Sequence, residues 1–234
     1  MIHQLKTITF DLSEGIGHIE LNQAPGNQMT SCFFQDFNDL IDELKDMHGL
    51  KAIIINGKGR HFSSGANIDE LIENSNPPLE NNSITNNDKW LEKSERNYRS
   101  FLFLEKLNIP VIAAIRGVCL GSAFELALSC HFRFCGEDAV FGLPESTYNL
   151  MPGLGGIRKT LTLCGQAKTL ELILKGNTFN AEEAFNYQLV DKIVPKRQLI
   201  GFSIDFAHKI MNNYRKEIIP LYLKRNSIND PAHN

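Results

Sequence analysis

Two short apolar runs, Ala52-Ile53-Ile54-Ile55 and Val111-Ile112-Ala113-Ala114-Ile115, constrain this chain more than any other feature. Each reads as a buried strand, and each follows a helical pattern. From Thr30, whose hydroxyl suits an N-cap, apolar residues recur at Phe33, Phe34, Phe37, Leu40, Ile41, Leu44 and Met47, one face of an amphipathic helix. Residues 90–107 form a second helical segment, directly before the second run. Further strands are predicted at 8–12 and 16–21, joined as a hairpin through Ser13-Glu14-Gly15, and near 132–135; residues 155–163 and 167–174 read as helices. Strand and helix units recurring at this interval make an α/β chain with a parallel component.

The 234 residues, 42% of them hydrophobic, bury a substantial core, so one domain with a helical appendage is expected rather than two independent domains. A net charge of -3 offers no general attraction for nucleic acid or an anionic membrane surface, and small substrates are favoured. Five cysteines without a C-x-x-C pair argue against a disulfide framework and a zinc site, and the seven histidines show no metal-ligand spacing. No P-loop or dinucleotide fingerprint is present. With no leader-like N-terminus and no apolar stretch long enough to span a bilayer, a cytoplasmic protein is expected. Residues 73–87 are polar, Asn-rich and carry Pro77-Pro78, which predicts a loop, either an inert insertion or a lid.

Three segments carry chemistry. In 117–127, small residues at Gly121, Ser122 and Ala123 open a helix whose free amides a ligand carbonyl could approach, with Glu125 one turn on. Glu125 lies among Phe124, Leu126, Ala127 and Leu128. A carboxylate on so apolar a helix is paired, protonated or functional, and Arg116 and Arg133 are its candidate ion-pair partners. In 144–156, Pro144-Glu145 supplies a second carboxylate, which could instead cap a turn. In 60–68, small residues in a strand-to-loop turn present further amides. Lys58, Arg60 and His61, just upstream or within it, suit either phosphate contacts or a solvated basic turn.

Together, in this order and spacing, the Phe62-Ser63-Ser64-Gly65-Ala66-Asn67 loop, the Gly121 turn into a helix with Glu125, and Pro144-Glu145 followed by Pro152-Gly153-Leu154-Gly155-Gly156 resemble the enoyl-CoA hydratase (crotonase) superfamily. The resemblance covers most of residues 5–212. It implies a spiral of ββα turns over 1–176 and a helical region over 177–234 that mediates trimer contacts and is shorter than usual for the family. It also implies a homotrimer or a dimer of trimers, and an acyl-CoA thioester as substrate, with coenzyme A entering as part of that substrate and no separate cofactor.

By position in these motifs, the amides of Ala66 and Ser122 are the expected oxyanion hole. Glu125 and Glu145 are the expected acid/base pair, Glu145 handling the α-carbon proton and Glu125 the water. Ser64, Gly65, Asn67, Ile68, Asp69, Gly121 and Tyr148 are the expected substrate contacts. Ser122 stands where many relatives have Gly, which a main-chain donor tolerates. Asn67 stands where relatives often carry Asp, a change that bears on a salt bridge or an N-cap. Tyr148-Asn149 replaces an aliphatic residue and Gly; Asn149 is compatible with left-handed backbone, and Tyr148 either brings a hydroxyl to the acyl group or sits half-buried at the surface.

The expected reaction is reversible syn hydration of a 2-enoyl thioester. Alternatives are a double-bond isomerase, a dehydratase acting on an acyl-carrier-protein thioester, and a binding member without catalysis; acidity and the lack of a Lys-rich helix weigh against RNA.

Overall fold

The structure, a computed structural model, describes residues 2–75 and 84–213. Three strands, β1 (Ile2–Gln4), β2 (Ile8–Ser13) and β3 (Ile16–Leu21), form an antiparallel start. The β2–β3 hairpin closes through Glu14 and Gly15 at φ 52° and 83°, the positive angles that a tight two-residue turn needs. Helix α1 (Ser31–Lys45) follows, with the Thr30 hydroxyl accepting from Phe33 N, then β4 (Ala52–Gly57), α2 (Ile68–Ser75) and α3 (Ile84–Lys106). Next come β5 (Val111–Ile115), β6 (Val118–Leu120), α4 (Ser122–Leu128), β7 (Phe132–Gly136), β8 (Val140–Gly142) and a 3-10 turn at Pro144–Tyr148. The remainder is α5 (Gly156–Lys175), β9 (Phe179–Asn180), α6 (Ala181–Asn186), β10 (Lys192–Val194) and α7 (Leu199–Asn213).

The strands divide between a seven-stranded sheet, ordered β1-β2-β3-β4-β5-β7-β10 and parallel from β3 onward, and a small sheet ordered β6-β8-β9. Single parallel bridges, Met29 with Ala66 and Ser63 with Cys119, extend the small layer. The chain thus alternates between layers: β4 lies in the large sheet and Ser63 to Ala66 in the small one, then β5 and β6, then β7 and β8. This is the ββα spiral.

The fully buried β4 and β5 are explained by helices on both sides of the large sheet. On one face Phe37 of α1 stacks on Phe33 and meets Phe101 of α3 edge-on, ring centroids 5.6 Å apart in each case. On the other, Phe202 and Phe206 of α7 meet Phe134 edge-on over Ile54, Ile112 and Ala114.

The structure departs from the sequence reading in two places. Residues 73–75 and 84–87, expected as loop, are helical, and 76–83 lie outside the described residues. The Asn67 side chain starts α2 by accepting from the amides of Asp69 at 3.0 Å and Glu70 at 3.3 Å, the N-cap of the two roles considered for the Asn at this position. The two helices expected at 155–163 and 167–174 are both present within the span of α5, divided at Gly165, whose φ of 77° and ψ of 169° are non-helical. Finally, the stretch from Asn177 expected as helical also supplies β9 and β10, one strand to each sheet.

Candidate active site

The Ser63 to Asn67 turn and the β6–α4 junction lie side by side. Ser63 N donates to Val118 O at 3.0 Å, and Leu120 N to Ser63 O at 3.3 Å. Gly65, at φ 89°, sits so close that a Cβ there would come 2.4 Å from Leu120 O and 3.7 Å from Ser122 N. In the bridge to Met29, Gly65 O accepts from Met29 N at 2.8 Å and Asn67 N donates to Met29 O at 3.2 Å. The Ala66 amide between them takes no part in that bridge. Ser122 is the first residue of α4, so its amide has no carbonyl one turn back within the helix. Main-chain donors of two segments thus meet at one helix start.

Glu125 projects from this helix into the core, with 1% of its surface exposed. It forms no ion pair with either arginine considered as a partner: Arg133 pairs with Asp191 at 3.3 Å, and Arg116 donates to Gly57 O at 3.1 Å. Instead its Oε1 accepts from the amides of Leu154 and Gly156, both at 2.8 Å, as α5 begins. Burial raises the Glu125 carboxyl above the usual carboxylate range, while these amides and the charge of Lys159 pull it back toward the ionised form.

Glu145 stands beside Gly121. That glycine has φ 53°, and a Cβ on it would lie 3.2 Å from Glu145 Oε1. Glu145 Oε2 is buried with no hydrogen-bond partner among the described residues. Burial, and then the adjacent Glu125 charge, push the Glu145 carboxyl up to about 7. One carboxylate holds two donors and its neighbour holds none at Oε2, so the surroundings favour the ionised form at Glu125 over the ionised form at Glu145.

The turn after Glu145 survives its substitution because Asn149 adopts left-handed backbone at φ 56°. Tyr148 is 45% exposed at the end of the 3-10 turn, a surface placement. Ser64 and Asp69 are exposed, whereas Ile68 and Asn67 are half-buried at the start of α2. Lys58 and Arg60 are solvated, and His61 Nδ1 accepts from Val118 N at 3.1 Å, bracing the turn. Among the described residues no three His, Cys, Asp or Glu side chains converge as a metal set, and no helix is long and apolar enough to cross a membrane.

Sequence reasoning did not name Leu154 and Gly156 as donors to Glu125, nor Lys159 and Ser129 behind it. The glycines at 155 and 156 were the available signal: a Cβ on Gly156 would come 2.9 Å from Glu125 Oε1, so the pair marks a close approach to something.

The sequence model of the enoyl-CoA hydratase/isomerase family matches residues 11–225, and the chain belongs to that family. It is 32% identical over 186 residues to a Bacillus subtilis (strain 168) protein named "Probable enoyl-CoA hydratase", covering 80% of this chain and 68% of that one. It is 34% identical over 202 residues to the fatty acid oxidation complex subunit alpha of Shewanella loihica, covering 84% of this chain but 27% of that much longer protein. The crystal structure of enoyl-CoA hydratase from Bacillus anthracis superposes with a TM-score of 0.81 at 27% identity, over 97% of this chain and 86% of that one.

Proposed function

We propose that the protein hydrates 2-enoyl thioesters, adding water reversibly and syn across the double bond, with coenzyme A as the carrier portion of the substrate. The amides of Ala66 and Ser122 receive the thioester oxygen as it gains enolate charge. A single preorganised donor of this kind is worth about 3 to 4 kcal/mol in a transition state. Glu125, ionised, takes a proton from water; Glu145, protonated, delivers one to the α-carbon. These groups suffice for the chemistry without a resident cofactor.

The observation that carries the reading is the asymmetry of the pair: Glu125 Oε1 holds two main-chain donors while Glu145 Oε2 is buried with none. Two carboxylates whose surroundings separate their protonation states are what acid/base hydration requires. The test is loss of crotonyl-CoA absorbance on adding the purified protein. Glu125→Gln and Glu145→Gln should each lose roughly a hundred- to ten-thousand-fold in rate. Undiminished hydration by Glu145→Gln defeats the proposal.

A second reading is double-bond isomerisation, favoured by one fact: a carboxyl held near 7 both accepts and returns a proton, as shuttling between two carbons demands. Isomerisation of a 3-enoyl thioester that survives Glu125→Gln would select it. Assays with carrier-protein thioesters decide the carrier. The resemblance further leads us to propose a homotrimer or a dimer of trimers, to be tested by light scattering of the purified chain.

A further inference from the structure

Behind Glu125 lies a charged group that the hydration scheme leaves unused. Lys159, on α5, is 5% exposed. Its ammonium donates to Ser129 Oγ and lies 3.6 Å from Glu105 Oε2, a carboxylate that also receives Arg158 at 2.6 Å. Ser129 Oγ in turn donates to the main-chain carbonyl of Glu125 at 2.7 Å. A continuous path therefore runs from the first turn of α5, through Lys159 and Ser129, into the residue whose carboxylate that same turn grips through Leu154 and Gly156. The Lys159 amide closes the turn by donating to Gly155 O at 3.0 Å.

We propose that Lys159 is the positioning residue for Glu125: its ammonium fastens α5 to α4 through Ser129, keeping both amides on the carboxylate, and its positive charge holds Glu125 in the ionised form. The inference rests on the role given above to Glu125 and adds the device that sustains it. The charged and titratable groups around Lys159 are Glu105 on α3, Glu125 on α4, Cys130 just beyond it, and Arg158 beside it on α5. Arg158 is bound to Glu105, which leaves Lys159 as the cation whose field reaches Glu125. Burial lowers Lys159 to about 8, and the two carboxylates oppose that, so it carries its charge at neutral pH.

The test combines three variants with two readouts. Lys159→Met removes charge and hydrogen bond, Lys159→Gln removes the charge but keeps a donor for Ser129, and Lys159→Arg keeps the charge. The first readout needs no substrate: the Glu125 carboxyl band in infrared pH titration, assigned by its loss in Glu125→Gln. The second is the acidic limb of the hydration pH profile.

In Lys159→Met and Lys159→Gln both should move upward by about one pH unit, with Lys159→Arg restoring them, and kcat should fall with KM unchanged. Where Lys159→Met does not fold, Lys159→Gln decides alone. A Glu125 band titrating as in the wild type in either uncharged variant overturns the proposal, as does an equal shift in Lys159→Arg. A shifted band in a protein that hydrates no enoyl thioester upholds the electrostatic role and sinks the proposed reaction instead.

Discussion

Gly156 and Glu125 are in mutual contact: the Gly156 amide donates to Glu125 Oε1 at 2.8 Å, and the side-chain space on Gly156 is filled by that carboxylate. A methyl group there would stand 2.9 Å from both Oε1 and Cγ of Glu125. Gly156→Ala should therefore displace the carboxylate while leaving the fold intact, since α5 tolerates alanine at its start. A misplacement of about 1 Å costs on the order of a hundredfold in rate. The expected outcome is a fall in kcat/KM of that order with circular dichroism unchanged; wild-type kinetics would contradict it.

The Glu145 carboxyl makes stability depend on pH in a direction opposite to most acids. Its folded-state value of about 7 lies above the ordinary 4.5, so between these limits the native state binds more protons than the unfolded chain. Stability then falls as pH rises through that window and levels off above it. Measured as the Tm of the wild type minus that of Glu145→Gln, the difference should decline from about pH 4.5 to about pH 7. A flat difference would mean that Glu145 titrates as an exposed acid.

Gly65 joins the two segments that present amides. At φ 89°, with a Cβ predicted 2.4 Å from Leu120 O, it has neither the conformational nor the spatial room for a side chain. Gly65→Ala should part the Ser63 to Ala66 turn from the start of α4, cost roughly 1–3 kcal/mol in stability and abolish hydration beyond what the stability loss explains. Denaturant melts paired with kinetics at saturating thioester separate the two effects.

The far face of the large sheet is insulated from this chemistry. Phe134 is 3% exposed and meets the rings of Phe202 and Phe206 at 5.1 and 4.8 Å. Phe134→Ala should cost about 3–5 kcal/mol of stability. Below its lowered Tm, kcat should stay within a few-fold of the wild type. A hundredfold loss of kcat in folded protein would show that the two faces are coupled.

How much of this was legible in the chain follows from how local each signal is. The strand Val111–Ile115 and the Thr30 cap are written in contiguous residues and emerged as read. β6 and β8, three residues each, are too short for any periodicity, and they form because the large sheet beside them fixes where the chain re-enters. The bonds from Leu154 and Gly156 to Glu125 cross 29 and 31 positions, so no window of sequence contains them. Motif order could suggest that Glu125 and Glu145 meet. It could not say that one would hold two donors while Oε2 of the other went without, the difference that sets their surroundings apart.

The alternation of strands between two layers also governs what the architecture tolerates. Each circuit returns the chain to the same rim one strand further along, so Ala66 and Ser122 are registered by neighbouring coils rather than by the polypeptide between them. Their spacing is therefore set by strand pairing, through β4 with β5 and the bridges at Met29 and Ser63.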